Sequence, residues 1–313
     1  MKPVAILLMS VLVVGTSLAL AAEPVNVVGD GGPLLNWVIV GPFPVEVRED
    51  GGGAAPLQGC DYDFLTALGG EAKAGLSEGT KVVYKDEKGA AKTAVAKAVT
   101  ANDRGYVDFR KAFAVGGRDA YAYCVVQAPA ETTVTCGMGI NDYGKIWVNG
   151  DLVHAERAGI ATEPWSVSFP VPLRKGRNDI LVKVEDVGGF AWEFIMELHP
   201  ENSPVLVTTN FSLTYFIVSG EIETSKVPSW LLVMDTEGLS VMTSWAAGKF
   251  VADAIGPFVK KTGIEAKIKH HKLVIPGYAA AESGGLEEEL PGWEILIGPR
   301  DGSHIPAYLK TWK

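Results

Sequence analysis

The chain has 313 residues with 37 acidic and 28 basic side chains, a net charge of −9 and 47% hydrophobic residues. Its length suits about two domains, and its hydrophobic content indicates packed cores rather than disorder. The acidic balance, with lysines and arginines scattered along the chain, excludes a nucleic-acid partner, because few side chains could neutralise phosphates.

The N-terminus predicts export. Lys2 precedes the apolar run VAILLMSVLVVGTSLAL, and ALAA at 19–22 is followed by Glu23 and Pro24. This pattern is typical of a secretory signal peptide, here residues 1–22. The alternative is that the same segment remains as a membrane anchor. No later apolar run reaches the ~18 residues that a membrane span requires. We therefore expect a periplasmic or extracellular protein.

The chain has three cysteines, Cys60, Cys124 and Cys136. An iron–sulfur cluster needs about four closely spaced thiolates, so we expect no iron–sulfur cluster. An odd number of cysteines in an exported chain leaves open one disulfide with a spare thiol. Cys124 and Cys136 flank the turn-like segment at 128–131 and are the pair that could lie on neighbouring strands.

From about residue 34 to residue 200 the sequence predicts many short strands, which indicates an antiparallel β-sandwich or jelly roll over residues 23–200. Asn149-Gly150 is the strongest hairpin signal, and LRKGRN at 173–178 is a second such turn. DYDFLTALGGEA at 61–72 predicts a short helix. The predicted strands are 36–43, 80–86, 106–115, 120–128, 131–140, 144–155, 164–173 and 178–186.

After Pro200 near-continuous apolar runs alternate with helical stretches. This pattern predicts a parallel sheet covered on both faces, a Rossmann-like, doubly wound α/β domain over residues 203–313. HPENSP at 199–204 is the natural linker. The predicted strands are 204–210, 229–235, 272–278 and 293–299.

Ligands of open α/β sheets bind beyond the carboxyl ends of the strands. Here those ends, 208–212, 235–240, 276–280 and 298–302, are rich in Gly, Pro, Ser or Thr. Glycine lets backbone approach a ligand closely, although Gly and Pro also mark ordinary turns. Four such loops on one edge predict a binding cleft.

Other motifs give weaker evidence for a phosphate, metal or catalytic site. AAGKF at 246–250 lacks the upstream glycine and the hydroxyl of a P-loop. His270-His271 predicts a solvated turn rather than a metal site, and the glutamates at 287–289 predict a solvent-facing helix. Asp235 is either a catalytic carboxylate or the cap of the following helix.

The predicted helix after Asp235 has one peculiarity. Leu239, Met242, Trp245 and Ala246 fall on one apolar stripe, and the residues that follow leave a patch of low bulk. Either the helix packs on the sheet through this stripe, or something wide and planar lies against it.

Residues 207–250 (VTTNFSLTYFIVSGEIETSKVPSWLLVMDTEGLSVMTSWAAGKF) and 272–313 (KLVIPGYAAAESGGLEEELPGWEILIGPRDGSHIPAYLKTWK) resemble the C-terminal domain of the large (gamma) subunit of the corrinoid iron–sulfur protein of the acetyl-CoA decarbonylase/synthase complex. The resemblance implies a Rossmann-like domain that holds a cobamide over its strand ends without a histidine ligand to cobalt. The implied corrinoid contacts are Thr209, Asn210, Ser212, Leu213, Thr214, Gly238, Ser240, Thr243, Trp245, Ala247, Gly277, Tyr278, Gly298, Pro299 and Arg300.

The first half has a second resemblance. WVIVGPFP at 37–44, DFLTALGGE at 63–71 and INDYGKIWVNGDLVH at 140–154 are similar to galactose-binding-like jelly-roll modules of secreted bacterial proteins. Modules of this kind often bind carbohydrate, although many serve only as structural or docking domains. The loop 141–144 is the first candidate for a glycan site, with an ordinary β-turn as the alternative. The tryptophans of these strands are expected in the core rather than as sugar platforms. They are Trp37, Trp147 and Trp192.

These observations predict an exported, non-enzymatic protein that binds a corrinoid, cobalamin or a related cobamide. A methyltransferase or a cobamide-handling protein is the expected partner. One alternative is a methyl carrier in corrinoid-dependent methyl transfer. Another is a surface module that binds glycan or protein and retains a vestigial corrinoid domain. The sequence predicts no catalytic residue and no metal ligand.

Overall fold

The computed structural model describes residues 25–28, 32–47, 57–156, 162–189 and 191–312. The predicted signal peptide, residues 1–22, lies outside the described residues. Within the described ranges, every helix is too short or too polar to cross a membrane.

The first part of the described chain is β-rich, as the sequence predicts. One predicted strand, 106–115, is wrong, because only its start is extended and helix α1 follows at Phe109–Phe113; the Asp108 carboxylate caps this helix by accepting a hydrogen bond from the Lys111 amide. The strands are β1 Val25–Val27, β2 Asn36–Pro44, β3 Glu46–Val47, β4 Leu57–Gln58, β5 Lys81–Lys85, β6 Ala91–Val95, β7 Lys97–Thr100, β8 Val107–Asp108, β9 Arg118–Ala128, β10 Thr132–Ile140, β11 Tyr143–Val148, β12 Asp151–Glu156, β13 Val167–Leu173, β14 Gly176–Glu185 and β15 Glu193–Pro200.

Two sheets of this β-rich region form a sandwich. The larger has the order β12-β11-β14-β9-β2-β7, with β1 parallel to β9, and the smaller has the order β13-β10-β15-β8. Their facing side chains form one core that includes Trp37 and Trp192, both fully buried. The other face of the larger sheet is covered as well, since Trp147 packs in a second cluster with Phe64 and Leu65. The prediction that these tryptophans are core residues is confirmed.

The connections between strands correct two predictions and confirm one. Asn149 and Gly150 have φ values of 53° and 90° and close the β11–β12 hairpin, as predicted. The segment 173–178 instead joins β13 of the smaller sheet to β14 of the larger one, so it is not a hairpin turn. The helix predicted at 61–72 is not formed, because this stretch has only short 3-10 turns, at Gly59–Asp61 and at Thr66–Leu68; the second ends at Gly69 with φ 96°.

The three cysteines are free and buried. Cys124 lies on β9 and Cys136 on β10, and these strands belong to different sheets. The bridge that the sequence left open between them is therefore not formed.

The C-terminal region contains four parallel strands in the order β17-β16-β18-β19. Helices α2 and α6 pack on one face of this sheet, and α4 and α5 pack on the other. The chain turns in opposite directions from β16 to β17 and from β17 to β18, which creates a crevice at the carboxyl edge. The elements are β16 Val205–Thr209, α2 Ser212–Ser225, β17 Trp230–Met234, α3 Val241–Ala246, α4 Ala252–Lys261, β18 Lys272–Ile275, α5 Ser283–Glu289, β19 Glu294–Ile297 and α6 Ile305–Leu309.

The sandwich contacts the parallel sheet at the amino end of β17. The Trp230 ring lies 4.8 Å from the Trp165 ring and 4.8 Å from the His199 ring, measured between centroids. The Lys269 amide donates to the Glu201 carbonyl at 2.8 Å. Because this contact uses the amino edge of the sheet, it leaves the carboxyl edge clear.

Candidate functional site

A pocket with a volume of about 290 Å³ lies at the carboxyl edge of the parallel sheet, between α2, the start of α3 and the ends of β16, β18 and β19. Its walls are mainly apolar, and its polar groups come from threonine, serine, tyrosine and arginine side chains. The apolar lining residues are Leu206, Val207, Ile217, Val218, Val241, Met242, Val274, Ile275, Pro276, Pro299 and Ile305.

The structure brings together part of the predicted set of contacts. The predicted residues that line the pocket are Thr214, Ser240, Tyr278, Gly298, Pro299 and Arg300. The predicted residues outside its lining are Thr209, Asn210, Ser212, Leu213, Gly238, Thr243, Trp245, Ala247 and Gly277. The lining residues that were not among the predicted contacts are Leu206, Val207, Thr208, Ile217, Val218, Val241, Met242, Val274, Ile275, Pro276, Gly302 and Ile305. Ile217 follows Thr214 by one helical turn, and that spacing is the signal that could have found it.

Two of the residues that line the pocket are apolar and exposed: Met242 is 47% and Tyr278 is 53% exposed. Helix α2 carries two more exposed apolar side chains, Leu213 at 61% and Phe216 at 69%. Clustered exposed apolar side chains are typical of surfaces that contact another molecule.

Helix α3 turns its apolar stripe outward. Val241 and Ser244 are its buried residues, whereas Met242 and Trp245 remain exposed. Packing on the sheet therefore does not explain the stripe. The stripe therefore remains accessible to another molecule.

Asn210 holds the strand ends together. Its Oδ1 accepts hydrogen bonds from the Thr236 amide, the Thr236 hydroxyl and the Gly238 amide at 3.1, 3.1 and 2.9 Å. Its Nδ2 donates to Asp235 Oδ1 at 2.7 Å. Asn210 thus joins the end of β16 to the loop after β17, and its side-chain amide makes these hydrogen bonds to the protein itself.

Asp235 also has a structural role. Its Oδ1 accepts a second hydrogen bond from the Glu237 amide at 2.9 Å, which shapes the loop. The residue before α3 is Ser240, so the prediction that Asp235 caps this helix is wrong. Because Asp235 Oδ1 accepts hydrogen bonds from Asn210 and from the Glu237 amide, the geometry gives no support for a catalytic role.

Two buried hydroxyls lie behind the pocket without partners. Thr208 and Thr209 are 1% and 0% exposed, and neither Oγ1 has a hydrogen-bond partner among the described residues. A buried polar atom without a partner costs about 1–3 kcal/mol, so such atoms call for an explanation. Thr208 is among the residues that line the pocket, although its hydroxyl oxygen is itself enclosed.

Gly277 and Gly298 allow the ends of β18 and β19 to approach each other. A Cβ on Gly277 would lie 2.6 Å from the Gly298 carbonyl oxygen, and one on Gly298 would lie 2.9 Å from Val274 Cγ1. The sequence suggested that these glycines make room for a ligand. In the structure, the protein's own backbone and side chains fill the space beside them, so the glycines are explained by the close packing of the strand ends.

A hydrogen bond holds the indole of Trp245, which lies on α3 outside the pocket lining. Its Nε1 donates to Glu282 Oε1 at 2.7 Å, while Glu282 Oε2 accepts from the Ala252 amide at 2.8 Å. The indole is thereby held in place with 38% of the residue exposed.

The histidine pair is not a fully solvated turn. His270 Nε2 lies 2.8 Å from the Ser203 carbonyl, and its ring contacts Trp312; burial lowers the pKa of His270 even though the bond to Ser203 opposes this shift. His271 is exposed and lies against Trp293. Within the described ranges, no group of three or more His, Cys, Asp or Glu side chains could hold a metal ion.

The loop 141–144 has a structural role in the sandwich. It connects β10 of the smaller sheet to β11 of the larger one, and Asp142 Oδ2 accepts from the Val187 amide at 2.9 Å. The Asn141 and Asp142 amides donate to the carbonyls of Glu193 and Glu185. These bonds fit a structural connection.

Comparison with known families found a match for the C-terminal region. Residues 193–309 match the family model described as CdhD: CO dehydrogenase/acetyl-CoA synthase delta subunit. The matched segment includes every residue that lines the pocket.

Individual relatives are more specific. The "Corrinoid/iron-sulfur protein large subunit" of Moorella thermoacetica is 54% identical over 111 residues, which is 36% of this chain and 25% of that protein. The "Acetyl-CoA decarbonylase/synthase complex subunit gamma" of Methanothermobacter thermautotrophicus is 43% identical over 148 residues, 47% of this chain and 32% of that protein. The chain thus spans about a quarter to a third of these relatives.

The name of the Moorella relative corrects one expectation. The cofactor set expected from the sequence excluded an iron–sulfur cluster, and a 54% identical relative named as a corrinoid/iron-sulfur protein overturns that exclusion. The number of cysteines in this chain was a poor guide to the cofactors of that relative. The match covers only 25% of the relative, and the thiolates that hold a cluster need not lie in the matched part.

Solved structures give only weak likenesses. A family 35 carbohydrate binding module from Paenibacillus barcinonensis aligns with 31% of this chain and 80% of its own, at 16% identity and a TM-score of 0.24. A β-glucuronidase from an uncultured Clostridium aligns with 54% of this chain and 29% of its own, at 11% identity and a TM-score of 0.28. At these scores neither likeness supports an argument about fold or ligand.

Proposed function

We propose that this protein binds a corrinoid, cobalamin or a related cobamide, over the carboxyl edge of its parallel sheet. One observation carries the proposal. The segment that matches the CdhD family contains an apolar pocket at the strand ends, and exposed apolar side chains, among them Met242 and Tyr278, line that pocket. A wide, largely apolar macrocycle would cover this surface and gain binding energy from its burial.

The residues present fit such a ligand. The exposed faces of Met242 and Tyr278 offer apolar contact, and Thr214 and Ser240, which also line the pocket, carry hydroxyl groups. Arg300 lines the pocket and lies over the Tyr278 ring, with 5.8 Å between its guanidinium carbon and the ring centroid. When bound, the corrinoid would supply a cobalt centre that can carry a methyl group. The chain's own part is to bind the macrocycle and exclude water from one of its faces.

A desalting experiment tests binding. Purified full-length protein is mixed with hydroxocobalamin and passed through a desalting column, and the visible spectrum of the protein fraction is recorded. We expect retained, shifted corrin absorbance. Thr214→Phe places a ring in the pocket and should reduce retention about tenfold, whereas Thr224→Phe, on the same helix outside the pocket, should not. Absence of corrin absorbance from the wild-type fraction would refute the proposal.

We also propose that cobalt is bound without a protein imidazole. Among the described residues that line the pocket there is no histidine. Cobinamide, which lacks a base of its own, provides the test in its Co(II) state. We expect its electron paramagnetic resonance spectrum on the protein to show no splitting from a protein nitrogen. Such splitting would instead assign a histidine ligand.

A methyl-carrier role is the second candidate. Relatives named as gamma subunits of the acetyl-CoA decarbonylase/synthase complex favour it and make subunits of such a complex the partners to test. A separate methyltransferase or a cobamide-handling protein is the other candidate partner. If the chain is a methyl carrier, chemically reduced bound cobalt should accept a methyl group from methyl iodide while it remains on the protein. Retained but unmethylated corrinoid would support binding alone.

Finer features of the organisation belong to the same proposal. We propose a signal peptide at 1–22 with export, a galactose-binding-like jelly-roll domain at 23–200 and a Rossmann-like, doubly wound domain at 203–313. The sandwich of two sheets supports the first of these two domains, and the parallel sheet with helices on both faces supports the second. Mass spectrometry of the protein from its native host should place the mature N-terminus at Glu23. An intact N-terminus in the membrane fraction would indicate an anchor.

A further inference from the structure

The β-rich region contains a second cavity, with a volume of about 250 Å³, on the outer face of the larger sheet. Three segments surround it: the stretch 71–75, the β11–β12 turn at Asn149 and Gly150, and the 174–177 turn between the sheets. A Cβ on Gly150 would lie 2.4 Å from the Ala72 carbonyl oxygen, so two of these walls touch. The cavity lies in the β-rich region and is independent of the corrinoid pocket.

The floor of this cavity is rigid and polar. The Tyr123 hydroxyl donates to Asp179 Oδ1 at 2.6 Å and accepts from the Arg177 guanidinium at 2.8 Å. Tyr123 and Trp147 are 1% and 6% exposed, so neither ring offers a flat platform on which a sugar could stack. Recognition in this cavity must therefore rest on charge and hydrogen bonds.

The charges lining the cavity do not cancel. Glu71 pairs with the buried Lys183 at 3.0 Å, and Asp179 pairs with Arg177 at 3.0 Å. Lys73 and Arg174 also line the cavity, and neither side chain has an ion pair or a hydrogen bond to the described residues. These two cations leave a positive surplus that a bound anion would neutralise.

We propose that this cavity binds a hydroxylated anion of monosaccharide size, a sugar acid or a sugar phosphate. Its anionic group would lie between Lys73 and Arg174, where both side chains can donate charge-assisted hydrogen bonds. Its hydroxyl groups would donate to carboxylate oxygens, since Asp179 keeps 45% of its side chain exposed beside the cavity. The volume of about 250 Å³ suits a monosaccharide, and a neutral sugar would leave the two cations unneutralised.

Isothermal titration of the full-length protein with four probes tests the proposal. D-galacturonate and D-galactose form a matched pair that differs in charge at similar size, and D-glucuronate and D-glucose 6-phosphate extend the set. We expect at least one anionic probe to bind about tenfold more tightly than galactose, with affinity that falls as salt increases. The carboxylate and phosphate probes separate the two classes of ligand. Equal or undetectable binding of all four probes would overturn the proposal.

Substitutions locate the site. Lys73→Gln combined with Arg174→Gln should weaken the preferred anion about tenfold or more, because both uncommitted charges are removed. Lys175→Gln removes an exposed cation of the same turn that does not line the cavity, and it should leave affinity unchanged. Unchanged thermal melting of the double variant shows that its fold is intact. If the correctly folded double variant keeps wild-type affinity, the anion binds elsewhere and the proposal fails.

Discussion

Asn210 shows that a polar side chain at a strand end can serve folding rather than binding. Its amide accepts three hydrogen bonds and donates one, all to the loop that follows β17. A single side chain thereby fixes the position of Gly238 relative to the end of β16. Farther along this loop, Ser240 lines the pocket.

Asn210→Ala should lower the free energy of unfolding by about 2–3 kcal/mol, because it leaves several partners of the amide without a hydrogen bond. Urea unfolding followed by circular dichroism measures this loss. Asn202→Ala removes an exposed asparagine and is the control, expected within ~0.5 kcal/mol of wild type. A small effect at Asn210 would mean that the loop holds its shape without the amide.

Asp119 makes the stability of the sandwich depend on pH. Burial raises the pKa of its carboxyl well above the ordinary value; the Lys183 ammonium opposes this shift, and the Glu185 carboxylate adds to it. The folded state therefore keeps a proton that the unfolded chain releases. The free energy of unfolding consequently falls as pH rises from the ordinary carboxyl pKa towards the raised one.

Asp119→Asn should remove this part of the pH dependence, because an amide does not titrate. Unfolding by urea between about pH 5 and about pH 8 should show a smaller decline for the variant than for wild type; a group that titrates only in the unfolded state contributes about 1.4 kcal/mol per pH unit. Asp103→Asn, at an exposed position, should keep the wild-type decline. Equal slopes for Asp119→Asn and wild type would show that this carboxyl is already ionised in the folded protein.

The thiols provide a third test at this scale. Burial raises the pKa of the Cys60 thiol to about 11 and raises those of Cys124 and Cys136 well above the ordinary value. Ellman's reagent should therefore react slowly with native protein at about pH 8, and with three thiols after unfolding without reductant. One reactive thiol after unfolding would reveal a disulfide.

At the scale of elements, a glycine on β10 makes room for the aromatic contact between the two regions. A Cβ on Gly137 would lie 2.1 Å from the Trp165 ring, and that ring contacts Trp230 at the start of β17. Trp165 Nε1 also donates to Glu197 Oε2 at 2.8 Å, which fixes the indole over the glycine. Strand β10 therefore needs a glycine where its pattern alone would accept a side chain.

Gly137→Ala should displace the Trp165 indole and lower the free energy of unfolding by about 1–3 kcal/mol, since overpacking forces the neighbours to shift. Gly189→Ala adds the same methyl group in open space and is the control. Chemical denaturation together with tryptophan fluorescence should detect both the loss of stability and the moved indole. Wild-type values in both measurements would show that the indole position is adaptable.

For the whole molecule, the position of the sandwich determines which edge of the parallel sheet is available. The contact through Trp230, His199 and Trp165 occupies the amino edge, and the proposed corrinoid pocket opens at the carboxyl edge. Within the C-terminal region, the Lys267 ammonium lies 5.0 Å from the centroid of the same Trp230 ring. The two proposed binding sites can therefore be tested independently of each other.

Trp230→Ala should weaken the contact between the two regions without blocking the pocket. We expect calorimetric unfolding to separate into two transitions and limited proteolysis at 199–204 to accelerate, because the ring contacts are lost. Retention of hydroxocobalamin should match that of wild type. Loss of retention together with a single unfolding transition would show that the pocket depends on this interface.

Local patterns were enough to predict many elements. The Asn149-Gly150 turn, the alternating strands of the β-rich region and the burial of Trp37 and Trp192 all follow from side-chain alternation and turn chemistry within a few positions. The C-terminal residues also carried the family resemblance that the matched domain supports. The strand predicted at 106–115 failed because the Asp108 cap favours a helical turn there.

Long-range contacts decided the rest. The same apolar stripe on α3 could pack inward or face solvent, and only the assembled sheet and helices leave Met242 and Trp245 outside. The 173–178 turn crosses between sheets, and Lys73 meets Arg174 at one cavity, because distant strands pair with β9 and β14. Sequence patterns report which side chains avoid water, whereas tertiary packing determines which of them are covered and which remain for a ligand.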